Sequence, residues 1–114
     1  MKHIMTLNEA PFFKIKNGIK SIELRLYDEK RRKIQKGDVI EFKNAIDADQ
    51  VIFCEVVKMH VFDSFGSLYK SLPLLKCGYT EADIDTADPK DMDEYYSSEK
   101  QEKYGVVGIE LKLL

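Results

Sequence analysis

Cysteine and histidine are scarce here, with two of each in the chain. Cys54 and Cys77 lie far apart, make no metal-ligand pattern and suggest no disulfide framework. Cys54, inside an apolar run, reads as a small core residue. Cys77, beside Gly78, reads as a loop residue open to solvent, with nothing nearby to make it a nucleophile. His3 and His60 have no second ligand at metal spacing, so no metal is expected. The acidic run from Asp83 to Asp93 lacks the central glycine and terminal glutamate of a calcium loop. Also missing are a glycine-rich phosphate loop, a dinucleotide fingerprint and a Ser-His-Asp order, and no cofactor is expected. No apolar run approaches the roughly 20 residues of a membrane span. The opening Met-Lys-His-Ile-Met-Thr-Leu has one basic residue and no long apolar stretch, unlike a secretory signal. A cytoplasmic protein with no membrane partner is the expectation. The net charge of -2 argues against a general nucleic-acid coat.

What remains is an ordinary globular composition, 44% hydrophobic and 33% charged, over 114 residues. That is one domain, 1–114, with room for a modest core. Charge is unevenly placed. Residues 1–43 hold 11 Lys/Arg against 6 Asp/Glu, and residues 44–114 hold 7 against 14. A basic face for a phosphate-bearing partner is one reading, and two attracting halves of one fold is the other.

Period-two runs predict strands at Ile4 to Leu7, Ser21 to Leu26, Val39 to Phe42, Val51 to His60 and Val106 to Leu113. On the long fourth strand, Ile52, Cys54, Val56 and Lys58 would share a face. Helices are expected at Ala10 to Lys16, from Asp63 or Ser64 to Ser71, at Glu81 to Asp85, after Asp88-Pro89, and from Ser97 or Ser98 to Tyr104. Asp28 to Lys33 reads as a charged loop, and so does Pro73 to Gly78. A mixed α+β fold, a small barrel with flanking helices, fits best.

The most informative stretch is Gly18 to Arg25, Gly-Ile-Lys-Ser-Ile-Glu-Leu-Arg. Ile22, Leu24 and Leu26 would point one way, with Ser21, Glu23 and Arg25 on the opposite face and Lys20 at the entrance. Holding three charges together costs solvation energy, which makes the segment a candidate site. Lys20 suits an anion or a carbonyl oxygen. Glu23 can accept from an exocyclic amine, and Arg25 can grip a phosphate. The plain alternative is a surface ion-pair ladder worth at most about 1 kcal/mol. The cations Lys30, Arg31, Arg32 and Lys33 form a second candidate, for following a phosphate backbone. Tyr27, Tyr69, Tyr95 and Tyr96 are candidate stacking faces.

Pro11-Phe12-Phe13, Gly18-x-Lys20-x-x-Glu23-x-Arg25, Gly37-Asp38-Val39-Ile40-x-Phe42 and Tyr104-Gly105-Val106-Val107-Gly108-Ile109 together resemble the ASCH domain family. The likeness runs through nearly the whole chain. It implies a PUA-like β-barrel with flanking helices and a cleft walled by Gly18 to Arg25. It also implies RNA, or a modified nucleoside or nucleotide, as partner, with Lys20, Ser21, Glu23, Arg25, Arg31, Arg32 and Tyr96 as candidate contacts. One bacterial branch hydrolyses the acetyl amide of N4-acetylcytidine with a lysine and a threonine of this motif and a later glutamate. The lysine matches Lys20. Glu23 occupies the threonine position, and the later segment offers Glu81. Lys20 and Glu23 are therefore the candidate catalytic pair for an amidohydrolase, the alternative to a binding module. A protein-interaction domain is the third reading.

Overall fold

The computed structural model describes all residues, 1–114. Strands β1 (Lys2–Leu7), β2 (Ile22–Leu26), β3 (Val39–Asn44), β4 (Val51–Phe62) and β5 (Val106–Leu113) form one curled half-barrel in the order β1-β3-β4-β5-β2. Pairing is antiparallel except between β1 and β3. Helix α1 (Glu9–Lys16) sends Phe12 and Ile15 into the barrel, where they meet Met5, Leu7, Ile40, Phe42, Ile52, Cys54, Val56, Val107 and Ile109. Pro11 is tolerated in its first turn, where a backbone donor has no helical partner. A one-turn helix, α2 (Glu29–Arg32), follows β2.

The segment between β4 and β5 packs on the outer face of the sheet. It holds α3 (Phe65–Ser71), three 3-10 turns (Leu74–Cys77, Ile84–Thr86 and Pro89–Glu94) and α4 (Ser98–Tyr104). Phe65, Leu68, Cys77 and Met92 from this insertion cover Ile22, Leu24, Leu26 and Val106. Gly108 makes the close approach possible. A Cβ there would stand 2.6 Å from Leu72 Cδ1 and 3.1 Å from Ile22 Cγ2.

Several expectations are corrected. Asp28 to Lys33 is not a loop: Asp28 accepts from the Arg31 N–H and so starts α2. Lys58 does not share the face of Ile52, Cys54 and Val56. A bulge between Val56 and Lys58 shifts the register, exposing Lys58 and turning Met59 toward the core. Pro73 to Gly78 contains a 3-10 turn where a loop is expected. In place of the α-helix expected at Glu81 to Asp85 there is a plain turn followed by a 3-10 turn at Ile84–Thr86, and the segment after Asp88-Pro89 tightens into the 3-10 turn Pro89–Glu94. Asp88 still caps the latter, in a reciprocal box with Asp91. Cys77 is buried, at 5% exposure, because the Leu74–Cys77 turn folds it beneath the insertion. Burial pushes its thiol up to about 11.

A buried ion triad on the floor of a tyrosine-walled cleft

Strand partners directly across an antiparallel pair share a face. Glu23 lies opposite Ile109 and Arg25 opposite Val107, and both partners belong to the barrel core. The charged side chains of β2 therefore turn inward, while Ile22, Leu24 and Leu26 turn outward to the insertion. This inverts the usual economy of a strand.

Glu23 is 4% exposed and Lys20 8%. Lys20 Nζ sits 2.7 Å from Glu23 Oε1, and Arg25 Nε donates to Glu23 Oε2 at 2.7 Å. Arg25 Nη2 reaches across the barrel seam to donate to the Thr6 carbonyl at 2.9 Å. Burial by itself would raise the Glu23 pKa, but the two adjoining cations outweigh it and hold the carboxyl below its ordinary value. Arg25 is likewise pushed up, its burial outweighed by Glu23. Burying an ion pair is a weak route to stability, since desolvation opposes the attraction. A carboxylate and two cations concealed beside a hollow make these three residues the candidate site.

The hollow is a cleft of about 720 Å³, within the usual size of a small-molecule pocket. Lys20, Glu23 and Arg25 lie on its β2 side, Thr6 and Leu7 on its β1 side, and Lys14 of α1 at one rim. Lys14 Nζ donates to the Gly78 carbonyl at 2.8 Å, tying α1 to the insertion. Gly78 has φ 114°, a region that favours glycine, and it lies against the Lys20 stem. The far wall is aromatic and acidic, with Tyr69, Tyr79, Tyr95, Tyr96, Asp83, Asp91 and Glu94. Tyr79 donates to Asp91 Oδ2 at 2.6 Å. Its oxygen is 2.7 Å from the Tyr69 hydroxyl, so Tyr69 must be the donor in that bond. Burial, Asp91 and Tyr69 keep the Tyr79 hydroxyl protonated far beyond its ordinary range. Tyr96 stacks on Phe65 at 6.2 Å between centroids.

Of the residues that the sequence singles out, Lys20, Glu23, Arg25 and Tyr96 come together here, with Tyr69 and Tyr95. Ser21 does not. It lies on a separate small hollow beside His60 and Glu110. Arg31 folds back on Asp28 at 3.1 Å, and Arg32 donates to the Tyr104 carbonyl over the ring of Tyr27. Both arginines, and Tyr27, lie outside the cleft lining: Arg31 is engaged by Asp28, and Arg32 by Tyr104 at the end of α4 and by the Tyr27 ring. Glu81 lies outside it too, and Asp83 stands in the lining. Lys14, Thr6, Tyr79 and Asp91 are members that sequence reasoning missed. The helical phase of Lys14, opposite the buried Phe12 and Ile15, was the one available signal.

The ASCH domain family model matches residues 5–114. This chain belongs to the ASCH domain family. Solved structures share its fold, these two among them. The crystal structure of hypothetical protein PH0355 is 34% identical, with a TM-score of 0.82 and full coverage of both chains. The solution NMR structure of protein PF0455 from Pyrococcus furiosus is 34% identical, with a TM-score of 0.76, covering 100% of this chain and 98% of that one. A comparison with curated protein sequences finds no match.

Proposed function

We propose that this ASCH domain is a binding module that seats the base of an RNA or of a modified nucleoside in the cleft. The observation that carries the reading is the buried Lys20–Glu23–Arg25 triad facing a wall of four tyrosines. Tyrosine faces take any base by stacking, at about 1–3 kcal/mol each. The triad supplies fixed polar contacts beside them. The cations of the cleft are largely committed already, Arg25 to Glu23 and Thr6, Lys20 to Glu23 and Lys14 to Gly78. The lining also carries four carboxylates against three cations. Both facts favour an uncharged base inside, with sugar and phosphate toward the mouth, over Arg25 as a phosphate grip.

The amidohydrolase alternative has less support. Glu23 occupies the motif's hydroxyl position and is held as a carboxylate between two cations, and Ser21 lies outside the cleft. The test is titration of the full chain with nucleosides and a short single-stranded RNA, together with incubation with N4-acetylcytidine and chromatography. Saturable binding that is lost in Tyr96→Ala, with N4-acetylcytidine unchanged, is the expected result. Conversion to cytidine that is abolished by Lys20→Ala would replace the binding reading with the enzymatic one. No binding and no conversion would reject both.

A further inference from the structure

The two edge strands of the curled sheet meet at the cleft without forming a ladder. β1 pairs only with β3, and β2 only with β5. At the ends of β2, the Leu111 N–H donates to the Ser21 carbonyl at 2.8 Å and the Tyr27 N–H donates to the Gly105 carbonyl at 3.0 Å. The register between them is unbroken. Peptide groups alternate direction along an antiparallel strand, so Glu23 and Arg25 bond to β5 and Leu24 turns both its N–H and its C=O the other way. No other backbone group engages them, and no side chain does. β1 mirrors this arrangement. The Met1 and Leu7 carbonyls accept from Val39 and Ala45, and Thr6, of opposite parity, aims its carbonyl at Arg25.

Leu24 lines the cleft and is 7% exposed. Its side chain is spent on the outer core, under the insertion. A donor and an acceptor at so buried a position ordinarily find partners within the protein. Resting on the base-binding reading, the geometry points to the Leu24 main chain as the group that reads the edge of the bound base. The N–H and C=O of one extended residue lie side by side. The neighbouring acceptor and donor of a pyrimidine or purine Watson–Crick edge lie side by side in the same way. The occupant is a free or unpaired base whose Watson–Crick edge is unblocked. An added peptide strand fits less well. It needs several alternate groups in a row, but Ile22 and Leu26 lie outside the cleft lining and the Arg25–Thr6 contact closes the seam beside Leu24.

The premise is tested first, by amide hydrogen exchange on the full chain without ligand. Leu24 should exchange much faster than Glu23 and Arg25, and equal protection would overturn the inference. The isotope-labelled chain is then titrated with uridine, cytidine, adenosine and inosine, and with the uncharged blocked analogues 3-methyluridine and 1-methylinosine. The expected result is a downfield shift of the Leu24 amide on binding. Each blocked analogue should bind at least about tenfold more weakly than its parent, the loss of roughly one to two hydrogen bonds. Parent and analogue binding equally, with Leu24 unmoved, would reject the edge reading and leave base binding standing. No binding by any of the six would remove both.

Discussion

The barrel and the insertion from Asp63 to Tyr104 are stabilised by different means. The barrel is a continuous ladder around a core whose largest members, Phe12, Phe42 and Ile40, are fully buried. The insertion has short helices and 3-10 turns held by caps at Ser64, Asp88 and Ser97, by the Tyr69–Tyr79–Asp91 chain, and by a small core shared with β2. Much of its surface is exposed and acidic. The cleft lies between the two. One wall is therefore fixed to within what a β-ladder allows, and the other is assembled from local hydrogen bonds that open at lower free energy. The rigid side holds the buried ion triad, and the adaptable side holds the aromatic faces together with Asp83, Asp91 and Glu94.

The sharpest break in that contrast comes from the rigid side. Glu23→Ala leaves Lys20 and Arg25 buried without a counter-charge, and the expected loss is about 3–5 kcal/mol in urea unfolding. A loss below about 1 kcal/mol would mean that water already screens the triad. Acid gives a second handle on the same residue. The native Glu23 carboxyl titrates below its ordinary value near 4.5, so the unfolded chain binds the proton more tightly. The contribution is complete above that value and disappears as pH falls below it through the lowered native value. The acid limb of the stability curve should therefore be shallower in Glu23→Gln than in the wild type.

Next in size is the joint between the two regions. Gly108→Ala puts a methyl group 2.6 Å from Leu72 Cδ1, and Leu72 must move. Overpacking of this kind costs about 1–3 kcal/mol. The strain falls on the outer face, so the barrel core should keep its hydrogen-exchange protection while α3 loses some. Uniform loss across the sheet would show that barrel and insertion unfold as one unit.

How much of this was readable in advance follows the same division. Period-two runs and turn glycines mark all five strands, because ladder geometry imposes a rigid pattern on the sequence. Asp88-Pro89 and Ser97 mark their turns because caps are local chemistry. The bulge after Val56 was hidden, since one unpaired residue leaves no mark on composition. The inward turn of Glu23 and Arg25 was hidden for a different reason. Alternation reveals two faces but not which one meets the barrel, and an insertion that covers the apolar face makes the polar face the inner one. Tyr79 and Asp91 were missed because their partnership spans loop geometry that only the folded chain supplies.

The smallest expected effect concerns that last pair. Tyr79→Phe removes a hydroxyl that donates to Asp91 and accepts from Tyr69. Asp91 keeps the Asp88 N–H and is open to water, so it is not stranded. Tyr69 loses its acceptor but stands at the cleft, where water can replace it. The expected change in global stability is therefore about 0.5–1.5 kcal/mol, the net worth of an ordinary hydrogen bond. The local effect should be clearer. The chain joins α3 to the Pro89–Glu94 turn, so amides from 84 to 96 should exchange faster while those of β3 and β4 do not change. Unaltered exchange in 84–96 would show that the tyrosine wall is held by packing around Phe65 and Met92 alone. The far side of the cleft would then be as rigid as the barrel, and the contrast between its two walls would fail.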